Sequence, residues 1–221
     1  MTSGAARNGT RWTAEALLAE ATRVFAESGF HAATMNEVAR RSTATKATYY
    51  NRFGSKDDLY EACLRREADL MRAHLFGAYE AVDGLGVTEQ LRHDMLAFFE
   101  YAERNPAGYT LLFGPESAGP ASRMRRALLD TIRDEVTRRV RRTLDARVPD
   151  AVSAAEMIAA MIVGVAVHGT EQGVVVESLG AERAGAMAAA FVVAALRTID
   201  PAALVAPGEA GARSRGDAEA P

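Results

Sequence analysis

The sequence has 221 residues, of which 48% are hydrophobic and 25% are charged, and its net charge is −3. These values are ordinary for a soluble chain of one or two domains, and the net charge alone gives no sign of a polyanion partner. Cys63 is the only cysteine, which excludes an intrachain disulfide and indicates a cytoplasmic protein.

The charge distribution is more informative than the total. Residues 1–56 contain eight Lys or Arg and four Asp or Glu. The remainder contains 18 Lys or Arg and 25 Asp or Glu. A basic N-terminal quarter on an acidic body indicates two tasks in one chain. Residues 1–10 lack the apolar core of a signal peptide, and we expect them to form a flexible arm.

The first four predicted elements are helices with recognisable ends. Thr13 can cap the first helix, which Gly29 can end, and Thr34 opens a capping-box sequence for the second. Thr45 can cap a third helix after a turn of only three residues, and Ser55 can cap a fourth. The apolar spacing of the first helix supports this reading, with Leu17, Ala21, Val24 and Phe25 on one face.

Helices also account for the rest of the chain. We predict them at 88–104, 106–113, 121–148, 151–176 and 181–199, and we keep the Val-rich run 174–176 helical because no partner strand is present. The longest apolar run, 157–167, is shorter than a membrane span, so we interpret it as part of a buried helix. The sequence therefore predicts an all-α fold without membrane contact, ending in a disordered tail at 206–221.

Two short helices joined by a tight turn, after a longer helix, have the outline of a helix-turn-helix. In that motif the second helix enters the DNA major groove. Lys46 lies in its first turn and can reach a guanine edge or a phosphate. Thr48, Asn51 and Arg52 have groups that can hydrogen-bond bases or backbone.

Other residues of the same region suit different tasks. Thr45, Tyr50 and Lys56 are fitted to phosphate contacts, because hydroxyls, ammonium groups and helix N-termini all bind phosphate. Tyr49 and Phe53 are four residues apart, so we expect them to share a face and pack inward. The alternative is a solvated helix with two core anchors and no role in DNA binding.

A set of residues between 17 and 63 keeps fixed spacings: Ala21, Phe25, Gly29, Thr34, Val38, Ala39, Thr45, Lys46, Thr48, Tyr49, Tyr50, Phe53, Ser55, Lys56 and Leu59. On these residues the stretch resembles the N-terminal domain of the TetR/AcrR family of transcriptional regulators. The resemblance implies a three-helix DNA-binding domain, here residues 11–70. It also implies a larger helical domain, here 71–205, that binds a ligand and dimerises.

The resemblance also implies roles for individual residues. Tyr50 and Lys56 match phosphate-contacting residues of the family, and Thr34 matches a helix cap that also touches the DNA backbone. Asn36 matches a residue on the preceding helix that can reach a base. The base-reading face is matched by Lys46, Thr48, Asn51 and Arg52.

Two positions depart from the family pattern. The turn usually contains Gly-Val, where this chain has Thr43 and Ala44, and a positive φ at position 43 would suit a β-branched residue poorly. Tyr49 stands where Leu is usual, so we expect bulkier packing beneath the third helix.

After residue 83 only the types of residue indicate a function. We predict a chamber for a hydrophobic small molecule, with the alternative that the same residues are ordinary core. His168 and Glu171 share a helix face and can bind a polar group, but two ligands are too few to predict a metal site. The candidate wall residues are Phe98, Phe99, Tyr101, Tyr109, Leu112, Phe113, Met157, Met161, His168 and Glu171.

The last two predicted helices are rich in small residues, which let helices approach closely. Two such helices from each of two subunits would form a four-helix dimer face, and tight packing within one chain is the alternative. The small residues are Ala155, Ala159, Gly164, Gly169 and Gly173, then Ala184, Ala186, Ala188, Ala189, Ala190 and Ala194.

The sequence contains no phosphate loop, no dinucleotide fingerprint and no Ser or Cys with a recognisable His partner. We therefore predict no enzyme and no cofactor, and we keep an enzyme and a helical protein-interaction adaptor as alternatives. The preferred interpretation is a homodimeric repressor that binds a palindromic DNA operator and is released by a small hydrophobic effector.

Overall fold

A computed structural model describes residues 12–114, 119–144, 152–200 and 204. The predicted arm 1–10 and tail 206–221 lie outside these residues, as do positions 145–148 of the predicted helix 121–148. All regular structure in the described ranges is helical, which confirms the all-α prediction. The elements are α1 Ala14–Ala32, α2 Met35–Ser42, α3 Lys46–Phe53, α4 Lys56–Ala81, α5 Val87–Arg104, α6 Pro106–Phe113, α7 Pro120–Leu144, α8 Val152–Thr170, a π-helical segment Glu171–Val176, and α9 Ala181–Thr198.

Threonine side chains fix the starts of the first three helices. The Oγ1 atom of Thr13 accepts a hydrogen bond from Ala16 N at 3.1 Å. Thr34 and Thr45 make the same bond to the amide three residues on, at 3.2 and 3.1 Å. Each bond satisfies an amide that the helix itself leaves unpaired, so the predicted caps are confirmed.

Backbone packing groups the chain into two compact units. The first unit holds the described residues of Met1–Gly77 and Tyr101–Leu128, and the second those of Ala78–Glu100 and Leu129–Pro221. α4, α5 and α7 each contribute residues to both. The predicted domain limits 11–70 and 71–205 stay a prediction.

The core of the first unit lies between α1 and the helices that pack on it. α1 contacts α2 and α6. Its residues Leu17, Val24 and Phe25 are buried, as are Val38 of α2 and Tyr49 of α3. The apolar face predicted for the first helix is therefore the face that builds this core.

A buried carboxylate lies within that unit. Glu67 of α4 is fully buried. Its Oε1 accepts a hydrogen bond of 3.3 Å from Thr22 Oγ1 and forms an ion pair with Arg66. Its Oε2 accepts a bond of 2.9 Å from Asn105 Nδ2, and Tyr101 donates its hydroxyl to the Glu67 carbonyl at 3.1 Å. Every polar atom of the Glu67 side chain is thereby satisfied.

In the second unit, α8 buries one face and exposes the other. Ile158 and Ile162 are buried, whereas Met157 and Met161 are exposed, so the predicted burial of 157–167 holds for one face only. Val152–Val176 is long and apolar enough to cross a membrane, and 33% of its most apolar window is buried in this chain. Length and composition alone are weak evidence for a membrane span, because the core helix of a soluble protein meets the same criteria.

The turn between α2 and α3 contains a strained residue. Thr43 has φ 56° and ψ 18°, in the left-handed region that favours glycine. The neighbouring Ser42 Oγ donates to the carbonyl of Val38 at 3.0 Å and accepts from Ala44 N at 3.3 Å, which holds the turn in place. The poor fit predicted for a β-branched residue at position 43 is therefore real.

Thr43→Gly should raise the free energy of unfolding by about 0.5–1 kcal/mol, because glycine adopts this backbone conformation without steric cost. Urea unfolding at fixed protein concentration measures the change. Thr43→Ala is the matched control, since it removes the β-branch but keeps Cβ. Its free energy of unfolding should rise by less than that of Thr43→Gly. Equal stability of the glycine and alanine variants would contradict the assignment of strain to the positive φ.

Candidate functional site

The helix α3 presents a polar face to solvent. Lys46, Asn51 and Arg52 are exposed, and Tyr50 is 46% exposed. Lys46 and Tyr50 are one turn apart, so both lie on the same side of the helix. The structure therefore exposes four of the predicted residues of α3 and places two of them, Lys46 and Tyr50, on one side, whereas Thr48 is half-buried.

The opposite side of α3 is anchored in the core. Tyr49 is fully buried, and its hydroxyl donates a hydrogen bond of 3.1 Å to the carbonyl of Leu17 on α1. Burial raises the pKa of the Tyr49 phenol. Phe53 is half-buried with its ring centroid 6.0 Å from that of Tyr49, so both predicted inward residues pack beneath the exposed face.

Two neighbouring elements extend this surface. Thr34 and Asn36 are exposed at the start of α2. Lys56 at the start of α4 places Nζ 4.5 Å from the ring centroid of Phe30 and 3.4 Å from the carbonyl oxygen of His31. This cation–π contact restricts the Lys56 side chain.

Nearby arginines differ in how much of their charge is available. Arg40 forms an ion pair with Glu37 at 2.6 Å and Arg41 forms one with Glu27. A side-chain hydrogen bond from the arginine lowers the pKa of each of these glutamates. Within the described ranges Lys46 has no such partner, so its charge is free for a ligand.

A cavity of about 570 Å³ lies inside the second unit. Its volume is within the range typical of small-molecule sites, and α4, α5, α7, α8 and α9 all contribute to its wall. The lining is predominantly apolar and includes Leu91, Phe98, Ile132, Val140, Ile162 and Val193.

Charged residues form one part of the cavity wall. The guanidinium of Arg139 donates to Gln90 Oε1 at 3.0 Å and to the Tyr79 carbonyl at 3.3 Å, and it lies 3.3 Å from Asp94 Oδ2. Its carbon is 5.2 Å from the Tyr79 ring centroid. The other oxygen of the carboxylate, Asp94 Oδ1, is buried and has no hydrogen-bond partner among the described residues.

The environment of Asp94 disfavours its charge. Burial raises the pKa of the Asp94 carboxyl to about 6, Arg139 opposes that rise, and nearby Glu135 adds to it. Burial also raises the pKa of the Tyr79 phenol, with a further contribution from Asp94. The cavity thus combines an apolar body with one incompletely paired carboxylate.

Residues 17–63 match the family model for bacterial regulatory proteins of the tetR family. This stretch therefore belongs to the tetR family of bacterial regulatory proteins. The prediction made from the spacings between residues 17 and 63 is confirmed.

One curated relative is similar over part of the chain. The transcriptional activator FasR of Mycolicibacterium smegmatis is 33% identical over 129 residues, which cover 55% of this chain and 58% of FasR. The match therefore spans less than two thirds of that relative's length.

Solved structures of transcriptional regulators share the fold at low sequence identity. A TetR-like regulator from Rhodococcus sp. RHA1 has a TM-score of 0.67 at 22% identity, covering 90% of this chain and 100% of that one. FadR from Bacillus subtilis, solved with stearoyl-CoA, has a TM-score of 0.68 at 13% identity, and the match covers 82% of this chain and 98% of FadR. SmeT, the repressor of the Stenotrophomonas maltophilia multidrug efflux pump SmeDEF, has a TM-score of 0.61 at 23% identity, and the match covers 84% of this chain and 91% of SmeT.

The cavity has a different wall from the one predicted from the sequence. Of the ten residues predicted to line a chamber, Phe98 lines it. Phe99 is buried beside Gly169, where an added Cβ would lie 3.1 Å from its ring. Four aromatic or aliphatic residues instead belong to the first unit: Tyr101, Tyr109, Leu112 and Phe113.

The remaining four predicted residues face away from the cavity. Met157 and Met161 are exposed, and the side chains of His168 and Glu171 are 83% and 62% exposed. His168 Nδ1 and Glu171 Oε2 are 3.9 Å apart and form only a surface pair. Sequence reasoning missed Asp94 and Arg139, although a carboxylate four residues before Phe98 on an apolar helix face was an available signal.

Asp94→Asn should stabilise the protein at neutral pH. Because the folded pKa of about 6 lies above the usual value of 3.8, the contribution of Asp94 to stability is present below pH 3.8 and lost as pH rises through 6. The variant should equal the wild type near pH 4 and exceed it by about 2 kcal/mol at pH 8. Urea unfolding across that pH range measures both.

The control for this series is Asp83→Asn, which removes an exposed carboxylate that faces the same Arg139. A constant difference between Asp94→Asn and wild type from pH 4 to pH 8 would contradict burial as the cause of the raised pKa.

Proposed function

We propose that the chain is a cytoplasmic, homodimeric repressor that binds a palindromic operator and is released from it by an apolar small molecule. The observation that carries this proposal is an apolar cavity of about 570 Å³ in a chain whose tetR-family segment exposes a polar face of α3. A regulator needs both a DNA-reading surface and a place where an effector can act.

The exposed face of α3 supports direct contact with DNA. Lys46 and Asn51 carry groups that can hydrogen-bond base edges, whereas Tyr50 and Lys56 carry groups suited to phosphate. Arg52 donates to the carbonyl of Trp12 at 3.0 Å, which uses one of its five N–H groups and leaves others for DNA.

Effector control rests on a shift between populations. α4 is one continuous helix that carries Lys56 at its start and Tyr79, a residue of the cavity wall, near its end. An effector that binds better when α4 is positioned unfavourably for DNA weakens operator binding by its differential affinity for the two states. FadR, solved with stearoyl-CoA, and SmeT, a repressor, share this fold.

The proposed dimer contact is the exposed apolar face of α8 and α9, with a second copy of the chain as its occupant. Met157 and Phe191 are 63% and 66% exposed, and Met161 and Met187 are also exposed. A monomer rarely exposes so many large apolar side chains on adjacent helices. A two-fold pair would also supply the two reading helices that a palindromic operator needs.

A second candidate function is activation of transcription. The relative FasR is an activator, and an activator uses the same DNA-binding surface with the opposite effect on transcription. The two directions are distinguished by transcription in vitro from a bound promoter, with and without an added ligand.

Tyr50→Phe should weaken binding to all duplexes by roughly tenfold, because it removes only the hydroxyl proposed to contact phosphate. Lys46→Ala should chiefly erode the preference for operator over scrambled DNA. Fluorescence anisotropy with an operator selected from genomic fragments, in a salt series, measures both effects.

Arg126→Ala is the control for these variants, since it removes one exposed positive charge on α7. If Arg126→Ala lost as much selectivity for the operator as Lys46→Ala, net charge, and not the α3 surface, would govern binding. If no genomic fragment binds at all, the repressor proposal is wrong and the adaptor becomes the better interpretation.

Phe191→Asp should convert the dimer to a monomer, because a carboxylate buried in an apolar contact is costly. Sedimentation equilibrium measures the change in molar mass. Leu85→Asp, which places the same charge at an exposed apolar residue outside α8 and α9, should leave the dimer intact. A wild-type chain that sediments as a monomer at all concentrations would overturn the dimer proposal.

A further inference from the structure

We propose that the effector is an amphiphile with an anionic head, a carboxylate or a phosphate, which binds Arg197 at the mouth of the cavity while its apolar chain fills the interior. Arg197 lies in the last turn of α9 and belongs to the cavity lining. This inference rests on the proposed function of the cavity as the effector site, and it specifies the chemistry of the effector at its polar end.

The mouth of the cavity lies where the start of α5 meets the end of α9. Val87, the first residue of α5, is 43% exposed and Arg197 is also exposed, whereas Phe98, further along α5, is buried. Val193, one turn before Arg197 on α9, is buried as well. Arg197 Nη2 donates to Thr88 Oγ1 at 3.3 Å, which joins the two helix ends. Because all these residues line the cavity, an occupant meets solvent and a guanidinium at one end and an apolar interior at the other.

Arg197 carries the uncompensated charge of the lining. The ionisable side chains that line the cavity are Tyr79, Asp94, Arg139 and Arg197. Asp94 Oδ2 lies 3.3 Å from Arg139, so these two charges compensate each other, and Asp94 Oδ1 is buried and closed to a ligand. Burial raises the pKa of the Tyr79 phenol, which keeps it neutral at pH 7.5. The lining therefore has one net positive charge, and that charge lies at the mouth.

Arg197 also has hydrogen-bond donors to spare. A guanidinium has five N–H groups, and the bond to Thr88 uses one of them. Within the part of the chain that the structure describes, Arg197 makes no other hydrogen bond and no ion pair. Its planar fork fits two oxygens of a carboxylate or a phosphate. Arg139 is different, because both of its terminal nitrogens already face acceptors, and an anion would have to displace one of them.

Two acidic residues lie close to this mouth along the chain. Glu89 follows Thr88 and forms an ion pair with Arg92 at 3.3 Å. Asp200 follows α9 and is exposed. Neither of them lines the cavity, so an anionic head at the mouth meets the guanidinium of Arg197 and no carboxylate of the lining except the paired Asp94.

Four probes with the same ten-carbon chain test the inference: decanoate, decyl phosphate, decan-1-ol and decylamine. Isothermal titration of the full chain at pH 7.5, below the concentrations at which the probes form micelles, gives each affinity. We expect at least one of the two anionic probes to bind about tenfold more tightly than decylamine, with decan-1-ol between them. The tighter of the two anionic probes identifies the head group.

Two substitutions at Arg197 test whether this residue causes the preference. In Arg197→Gln the preference for the anionic probe over decylamine should fall below about threefold, because the lining loses its net charge. In Arg197→Glu the preference should reverse, since the mouth then attracts an ammonium group and repels an anion.

Arg183→Glu is the matched control, because Arg183 is exposed on the same helix but does not line the cavity. It should keep the wild-type preference. Decylamine binding as tightly as both anionic probes, an anion preference that survives in Arg197→Glu, an equal loss in Arg183→Glu, or no binding by any probe would each overturn the inference.

Operator binding in the presence of each probe separates this inference from the proposed function. If an anionic probe binds with the expected preference but leaves operator affinity unchanged, effector control is wrong and the assignment of Arg197 stands. If decylamine binds best and releases the operator, the assignment of Arg197 is wrong and effector control stands.

Discussion

The fully buried carboxylate of Glu67 is the constraint on which the first unit depends. A buried charge is tolerated only when its partners are in place, and here they come from α1 through Thr22, from α4 through Arg66, and from Asn105 between α5 and α6. A Cβ at residue 108 would overlap this carboxylate, which explains the glycine there. Such a network fixes the arrangement of helices more than it adds stability. α1 in turn supplies the carbonyl that anchors α3.

Asp94 offers a contrast, because it is the carboxylate that the fold leaves incompletely paired. Glu67 has a partner at both oxygens, whereas Asp94 has Arg139 at one oxygen and nothing among the described residues at the other. The first arrangement belongs to a structural core, and the second leaves one buried acceptor unpaired at a cost in stability. The two acids show why burial alone does not identify a functional residue.

Local patterns predicted the helices well because their causes are local. The caps at Thr13, Thr34 and Thr45 depend on residues three positions apart. The wall of the cavity depends instead on which helices meet, and the apolar character of Met157 does not reveal that its face is left uncovered in the chain. Asp94 and Arg139 are 45 positions apart, so no periodicity within one helix could join them.

The two lysines of this sequence have a practical consequence. Lys46 is exposed on α3 and Lys56 lies at the start of α4, and every other permanently cationic side chain is arginine. Amine-reactive dyes or surface-coupling reagents directed at lysine will therefore modify the helix-turn-helix region and none of the cavity wall. Cys63 is buried, so thiol chemistry does not offer a ready substitute. A fluorescent reporter of cavity occupancy in this protein will need an introduced cysteine.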